Sequence, residues 1–399
     1  MNQPQPTVCV IGGGIIGSWT ALHLVEAGVS TVLFEQFPLP HTRGSSQGQS
    51  RAFRFLGDAE LDRLEFSLDR WKALERATGE TLYVRTGLLN FGPEGDLFLE
   101  EHMAVVRAGG RPCEWLEHDV IAERFPMLRY TEAWGAAWDP NGGILFAHRC
   151  LDAVQRRFLE LGGQIVTASV ESVESQPDGG VRIGFRSNTT AAENEHTSFD
   201  KAVVCAGPWT AKLLPQLDAL LSSVLTPVSY WRDPTDAHGV ANGFPILFNA
   251  RLADIYVLPS CEYPGLVKVL FHGGPETDPD SVDLGTVGPY VEQVSDYVRD
   301  HLPLLDHQSP AILESCFYTM TPDHQPILDQ LGDHLVVGAG FSGSGFKHSP
   351  ATGWMLAALA LDGEEDLPEG FMTDRYALDR FGVRGTLTDD TATDDTPTE

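Results

Sequence analysis

The stretch VCVIGGGIIGSWTALHLVEAGVSTVLFEQ, residues 8–36, contains a short β-rich run, a glycine turn, an apolar helical segment and a second β-rich run. Val8 to Ile11 runs straight into glycine, as buried parallel strands do. Gly12, Gly14 and Gly17 then spell G-x-G-x-x-G. The first glycine permits a tight turn, the second lets a pyrophosphate approach the backbone, and the third allows close helix–strand packing. A helix is predicted from Ile15 to about Ala27, with Gly28 as its stop. Its N-terminal N–H groups and positive dipole end suit a pyrophosphate. The second strand, Thr31 to Phe34, ends at Glu35, whose carboxylate falls where a ribose hydroxyl pair is bound and disfavours a 2′-phosphate. Strand, helix, strand and acid in register predict dinucleotide binding, without separating FAD from NAD.

Working outward, a similar pattern returns much later in the chain. KAVVCAGPWT, from Lys201, reads as a strand entering a small-residue turn, and VTASVESVE, from Val166, as a strand before it. HLVVGAGFSGSGFKHSPATGWMLAALAL, from His334, gives a strand, a glycine-rich loop and an apolar helix that brings a second helix N-terminus to the cofactor. TLYVRTGLLNFG, DIYVLPS and LVKVLFHG have the alternating or aromatic character of antiparallel strands. The fold class predicted is α/β: a Rossmann-like, doubly wound nucleotide-binding domain with an interleaved, mainly antiparallel-sheet substrate domain. The first domain is assigned residues 1–85, 145–215 and 325–381, the second residues 86–144 and 216–324. Residues 382–399 are read as an acidic disordered tail.

Composition narrows the function classes. The chain has 399 residues, 42% of them hydrophobic, and a net charge of −29. Such a surface repels phosphate backbones, so a nucleic-acid partner is not expected. No apolar run approaches the roughly 20 residues of a membrane span. The six cysteines are scattered with no C-x-x-C pair, which gives neither a zinc pattern nor a disulfide framework. The start lacks a secretory pattern and the end a peroxisomal tripeptide, so a cytoplasmic protein is the default expectation; a monomer is also expected. An anionic substrate must be drawn in by local cations against an unfavourable overall field.

Four segments can supply chemistry. In LPHTRGSSQGQSRAFR, Arg51 and Arg54 are spaced i, i+3 and share a face if the segment is helical. In YPGLVKVLFHGG, Lys268 and His272 have the same strand parity. Cys316 lies in ESCFYTMTPDHQPILD, ahead of a Thr-Pro-Asp turn, and reads either as a small core residue or as an attachment point. GAGFSGSGFKHS carries Lys347.

These residues carry a resemblance. The fingerprint glycines, EQFPLPHTRGSSQGQSR, RTGLL, AGPWT, EYPGLVKV, VRDHLP, ESCFYTMTPD and GAGFSGSGFK together resemble the monomeric sarcosine oxidase family, and within it the peroxisomal sarcosine and L-pipecolate oxidases. The resemblance runs from residue 8 to about residue 381. It implies FAD bound covalently, through a thioether between Cys316 and the 8-methyl carbon of the isoalloxazine. The cofactor-binding positions it implies are Gly12, Gly14, Gly17, Glu35, Arg43, Ser46, Ser50, Arg51, Val170, Gly207, Gly343, Gly345 and Lys347.

By the same resemblance Lys268 is the oxygen-activating lysine; a fixed cation beside negative charge developing on oxygen lowers the barrier. Arg54 and Lys347 resemble the pair that holds the substrate carboxylate, a planar two-donor group and a point charge. Tyr256 and His272 match positions that orient the amine, and Arg51 looks like a flavin-side residue. The sequence departs from the family at Gln47 and Ser344, where histidine is usual. The implied activity is oxidation of a secondary-amine amino acid to an imine, with oxygen reduced to hydrogen peroxide. A dehydrogenase with another acceptor and a flavin-containing RNA-modification module are the alternatives; Lys268 and the acidic surface speak against them respectively.

Overall fold

The computed structural model describes residues 6–187, 194–249, 251–261 and 263–382, so the expected acidic tail lies, from residue 383 on, outside the described residues. Among the described residues the strands form two eight-stranded sheets and one three-stranded sheet.

Thr7–Ile11 lies inside the first sheet, paired in parallel with Ser30–Glu35 on one side and Lys201–Val204 on the other. Gln164–Ser175 and Leu335–Ala339 extend this parallel core outward. The edges are antiparallel, formed by Ile327–Gln330 at one end and by Val181–Ser187 and Glu195–Phe199 at the other. Alternation along the central strand divides the core: Val8 and Val10 join Ile15, Trp19, Leu22 and Met355 on the helical face. Cys9 and Ile11 join Phe34, Ala202, Val204 and Val337 on the other.

The helix Ile15–Glu26 follows Gly14 and ends before Gly28, whose φ of 84° is easy for glycine. Against it packs the helix Gly345–Ala360. A Cβ at Gly353 would lie 2.7 Å from the Trp19 backbone, so only glycine lets the two helices approach this closely. Pro350 inside that helix has no N–H for the Phe346 carbonyl, and the Ser349 hydroxyl donates to it instead at 2.8 Å.

The second sheet runs in the order Ile312–Met320, Ser222–Arg232, Leu266–Phe271, Ile255–Leu258, Ile246–Asn249, Leu88–Pro93, Trp134–Asp139 and Glu114–Leu116. Only Ile246–Asn249 and Leu88–Pro93 pair in parallel. The small sheet was not foreseen. Ser50–Phe53 pairs with Gly143–Phe146, which also pairs with Tyr83–Arg85. It decides the conditional reading of Arg51 and Arg54, which do not share a helical face: Arg51 sits opposite Leu145 in a strand, and Arg54 follows the strand's end. Pairing with a strand about ninety residues away overrides the local i, i+3 pattern.

Candidate active site

A cavity of about 1550 Å³ lies between the two large sheets. That exceeds the roughly 300–1,000 Å³ of a single small-molecule pocket, so it has room for a dinucleotide and a substrate together. Of the residues expected at the site, all but Gly17 line it. Gly17 stands behind the wall, where a Cβ would meet the Gly12 carbonyl oxygen at 2.1 Å.

One end is the fingerprint turn. Gly12 has φ 108°, and a Cβ there would lie 2.3 Å from the Cys205 carbonyl oxygen. Ile15 N–H, in the first helical turn, donates to the Ser46 hydroxyl at 2.9 Å. Glu35 is tied to the same turn, accepting from Gly13 N–H at 2.8 Å and Phe37 N–H at 2.9 Å. Val170 contributes from within the strand Gln164–Ser175 and Gly207 from the turn after Lys201–Val204. Arg43 donates to the Pro279 carbonyl at 3.0 Å and lies over the Phe37 ring.

The cavity face of the second sheet is a lattice set by strand parity. Glu314, Cys316 and Tyr318 share one face of their strand. Cys316 sits opposite Thr226, Lys268 opposite Tyr230, Tyr256 opposite Leu270 and Phe248. Lys268 is buried and its ammonium donates to the Ser50 carbonyl at 3.0 Å. His272 follows the strand Leu266–Phe271 and, with Lys268, lines the cavity. The Tyr318 hydroxyl stands 3.2 Å from the Tyr256 hydroxyl and 3.2 Å from His272 Nδ1. Desolvation in the chamber pushes Tyr256 up to about 12, raises Tyr318 well above its usual value and lowers His272, so at neutral pH this trio is uncharged.

Arg51 donates to the carbonyls of Ser50, Ser45 and Gln47 at 2.8, 2.9 and 2.7 Å, and its guanidinium also reaches Cys316 Sγ. Arg54 lies with its guanidinium 4.7 Å from the centre of the Phe248 ring and donates to the Leu56 carbonyl. Lys347 enters from the first turn of its helix, beside Gly343 and Gly345. A Cβ at Gly343 would come within 3.0 Å of the His272 ring and 3.1 Å of Tyr318, so this glycine keeps the chamber open.

Several residues were missed. Tyr318 was within reach of sequence reasoning, because it is two residues from Cys316 on a strand. Asp58 had no signal beyond its turn, yet it pairs with Lys347 at 2.8 Å and His348 at 2.9 Å. Asp139, fully buried, accepts from Phe55 and Leu56 N–H at 3.2 Å each and so fixes the chain after Arg54. Asp58, Glu60 and His348 place three possible metal ligands within 4.8 Å of one another. Lys347 on Asp58, and Arg63 and Arg375 on Glu60, make that cluster an ion-pair network.

The cavity fits a flavin dinucleotide on its own chemistry. The glycine turn and helix N-terminus accept a pyrophosphate. Ser50 Oγ, Gln47 Oε1 and Thr226 Oγ1 line the wall, buried and without a hydrogen-bond partner among the described residues. Buried polar atoms are normally paired, so this wall suits a ligand with a hydrogen-bonding edge.

The family model described as FAD dependent oxidoreductase matches residues 7–359. The chain is 36% identical to the peroxisomal sarcosine oxidase of Mus musculus, over 94% of this chain and 96% of that one. It is 38% identical to the peroxisomal sarcosine oxidase of Homo sapiens, over 88% and 91% of the two chains. Among solved structures, L-proline dehydrogenase from P. horikoshii has a TM-score of 0.76 at 20% identity, covering 94% of this chain and 99% of that one, a likeness of fold alone. These relatives overturn the expectation of a cytoplasmic protein, since both sarcosine oxidases are peroxisomal. Peroxisomal import is a receptor-read address, and the expectation rested on the lack of one form of it, a C-terminal tripeptide. No helix among the described residues is long and apolar enough to cross a membrane. With the fingerprint, the cavity and these matches in agreement, the chain belongs to the FAD dependent oxidoreductase family, as an enzyme of the sarcosine oxidase type.

Proposed function

We propose that this enzyme oxidises an amino acid with a secondary amine, that oxygen is its electron acceptor, and that its FAD is attached through Cys316. The substrate class is sarcosine, L-pipecolate, L-proline or a larger N-alkyl amino acid. The carrying observation is that two cations, Arg54 and Lys347, line the same cavity as the uncharged trio Tyr256, Tyr318 and His272, continuous with the glycine turn. Relatives named sarcosine oxidase support the substrate class.

FAD, held by the glycine turn, Glu35 and the wall around Cys316, would supply the redox chemistry, that is, acceptance of a hydride equivalent from the carbon next to nitrogen and return of two electrons to oxygen. The chain's residues supply position and charge. Arg54 and Lys347 hold the carboxylate, which fixes the amine near Tyr256 and His272. As neutral hydrogen-bonding groups, these two orient the amine without trapping it as a cation. Lys268 places a buried positive charge where negative charge develops on oxygen. The released imine hydrolyses or rearranges in water.

A panel of amino acids scored by anaerobic bleaching of the flavin absorbance tests the reading. Secondary-amine amino acids should bleach it, and the same members should yield hydrogen peroxide in air. Bleaching by none of them overturns the substrate class; bleaching without peroxide overturns oxygen as acceptor.

A further inference from the structure

We infer that Asp58 is a positioning residue, the tie that joins the two halves of the carboxylate clamp by holding Lys347 to the loop that carries Arg54. The inference rests on the clamp proposed above and concerns a residue that does not itself line the cavity.

Asp58 lies four residues after Arg54, in the turn between the strand Ser50–Phe53 and the helix Leu61–Thr78. The turn is closed by Asp58 N–H donating to the Phe55 carbonyl at 3.1 Å. Gly57, at φ 79°, has no Cβ where the Arg54 guanidinium lies; one there would be 2.3 Å from Arg54 Nη1. The backbone of Arg54 and the carboxylate of Asp58 therefore belong to one compact loop. One oxygen of that carboxylate, Oδ2, takes Lys347 Nζ at 2.8 Å and His348 Nε2 at 2.9 Å. The other, Oδ1, accepts from Glu60 N–H at 3.0 Å. Two consecutive residues in the first turn of the helix Gly345–Ala360 are thus pinned to the loop of Arg54.

All three side chains are at least nine-tenths buried. A buried ammonium without a partner gives up its charge or its place, and lysine's long stem makes it prone to both. Burial lowers Lys347 and Asp58 opposes that, in agreement with the geometry. Removing Asp58 would also relieve a repulsion between its charge and a bound carboxylate. That repulsion acts from behind Lys347, farther off than the ammonium, so the attraction lost is the larger effect.

The test is acetate and acetamide binding to the holoenzyme, followed by the flavin spectrum, in wild type, Asp58→Asn, Lys347→Met and the double variant. Asp58→Asn should weaken acetate about tenfold and leave acetamide within about twofold. In the Lys347→Met background, adding Asp58→Asn should cost less than about twofold, because the first change has removed what Asp58 holds. With substrate, KM should rise more than kcat falls. Tighter acetate binding in Asp58→Asn, equal losses for acetate and acetamide, or the same cost with and without Lys347 would each overturn the assignment. If Lys347→Met itself leaves acetate unchanged, the clamp is at fault, and the tie falls with it.

Discussion

The Arg51 guanidinium donates to the sulfur of Cys316 at 3.4 Å, across the seam between the small sheet and the large antiparallel one. Arg51 is fixed there by three backbone carbonyls, so its charge is aimed at the sulfur by the fold. On the attachment proposed above, a cation preorganised at this position assists the attack of the sulfur.

Holoenzyme precipitated with acid should therefore stay yellow, and its intact mass should exceed that of the polypeptide by one FAD. Cys316→Ala should release its flavin to the supernatant on the same treatment. Arg51→Gln should leave a larger released fraction than wild type at equal flavin loading. A colourless precipitate from fully loaded wild-type protein rules out attachment at Cys316.

Lys268 is held between Val267 and Val269, 4% exposed, with its ammonium on the Ser50 carbonyl. Lys268→Met keeps the approximate volume and removes the charge. Reoxidation of the reduced enzyme by oxygen should slow by about a hundredfold or more, as when one donor to a developing anion is lost. Anaerobic reduction by substrate should change much less. Stopped-flow measurement of the two half-reactions separates these outcomes, and an unchanged oxygen rate sinks the role.

How much of this was readable beforehand follows the range of the interactions. Gly12, Gly14, Gly17 and Glu35 were legible because their chemistry lies within one strand–helix–strand unit. Lys268 was legible by parity, and so was Tyr318 had the same rule been applied from Cys316, whereas His272, expected on the same strand, stands one residue past its end. Whether Arg51 and Arg54 share a helical face stayed open in the sequence because the partner strand, Gly143–Phe146, is far along the chain. Asp58 and Asp139 were invisible for the same reason: each matters only through a contact made by folding, to Lys347 and to the Phe55–Leu56 backbone.

The buried histidines give the fold an acid-sensitive side. Burial lowers His348 to about 4 and, with the nearby Arg70 charge, His23 to about 3, against 6.5 when exposed. Both are neutral in the folded state where the unfolded chain already binds protons. Stability is therefore full above about pH 6.5 and falls as pH drops toward 4, by at most about 1.4 kcal/mol per pH unit for each histidine. Burial would raise Asp58, but Lys347 and His348 hold it well below the usual carboxylate range, adding a further loss in stronger acid. Melting temperatures from pH 7 to pH 4.5 should decline, and His23→Gln should flatten the decline. A slope indifferent to that substitution shows that His23 is not one of the groups responsible.

The proposed carboxylate clamp makes the sharpest demand. Arg54 and Lys347 reach one chamber from different segments, the first steadied over the Phe248 ring and by the Leu56 carbonyl, the second by Asp58. Around them the chain is strongly acidic, with a net charge of −29, so an amino-acid carboxylate is welcome only where such cations stand. A hydrogen bond to a charged group contributes roughly 1.5–3 kcal/mol. Lys347→Met should raise the dissociation constant of acetate by about tenfold to a hundredfold. Arg54→Lys should also weaken it, because the charge stays while the two parallel donors and the fit over Phe248 are lost. Acetamide, which offers no charge, should bind wild type poorly and hardly notice either change. Lys347→Met should act mainly on KM, since the carboxylate is held alike before and during the reaction. If acid and amide lose affinity equally in both variants, the two cations support the flavin or the fold, and the anchor for the substrate carboxylate lies elsewhere in the chamber.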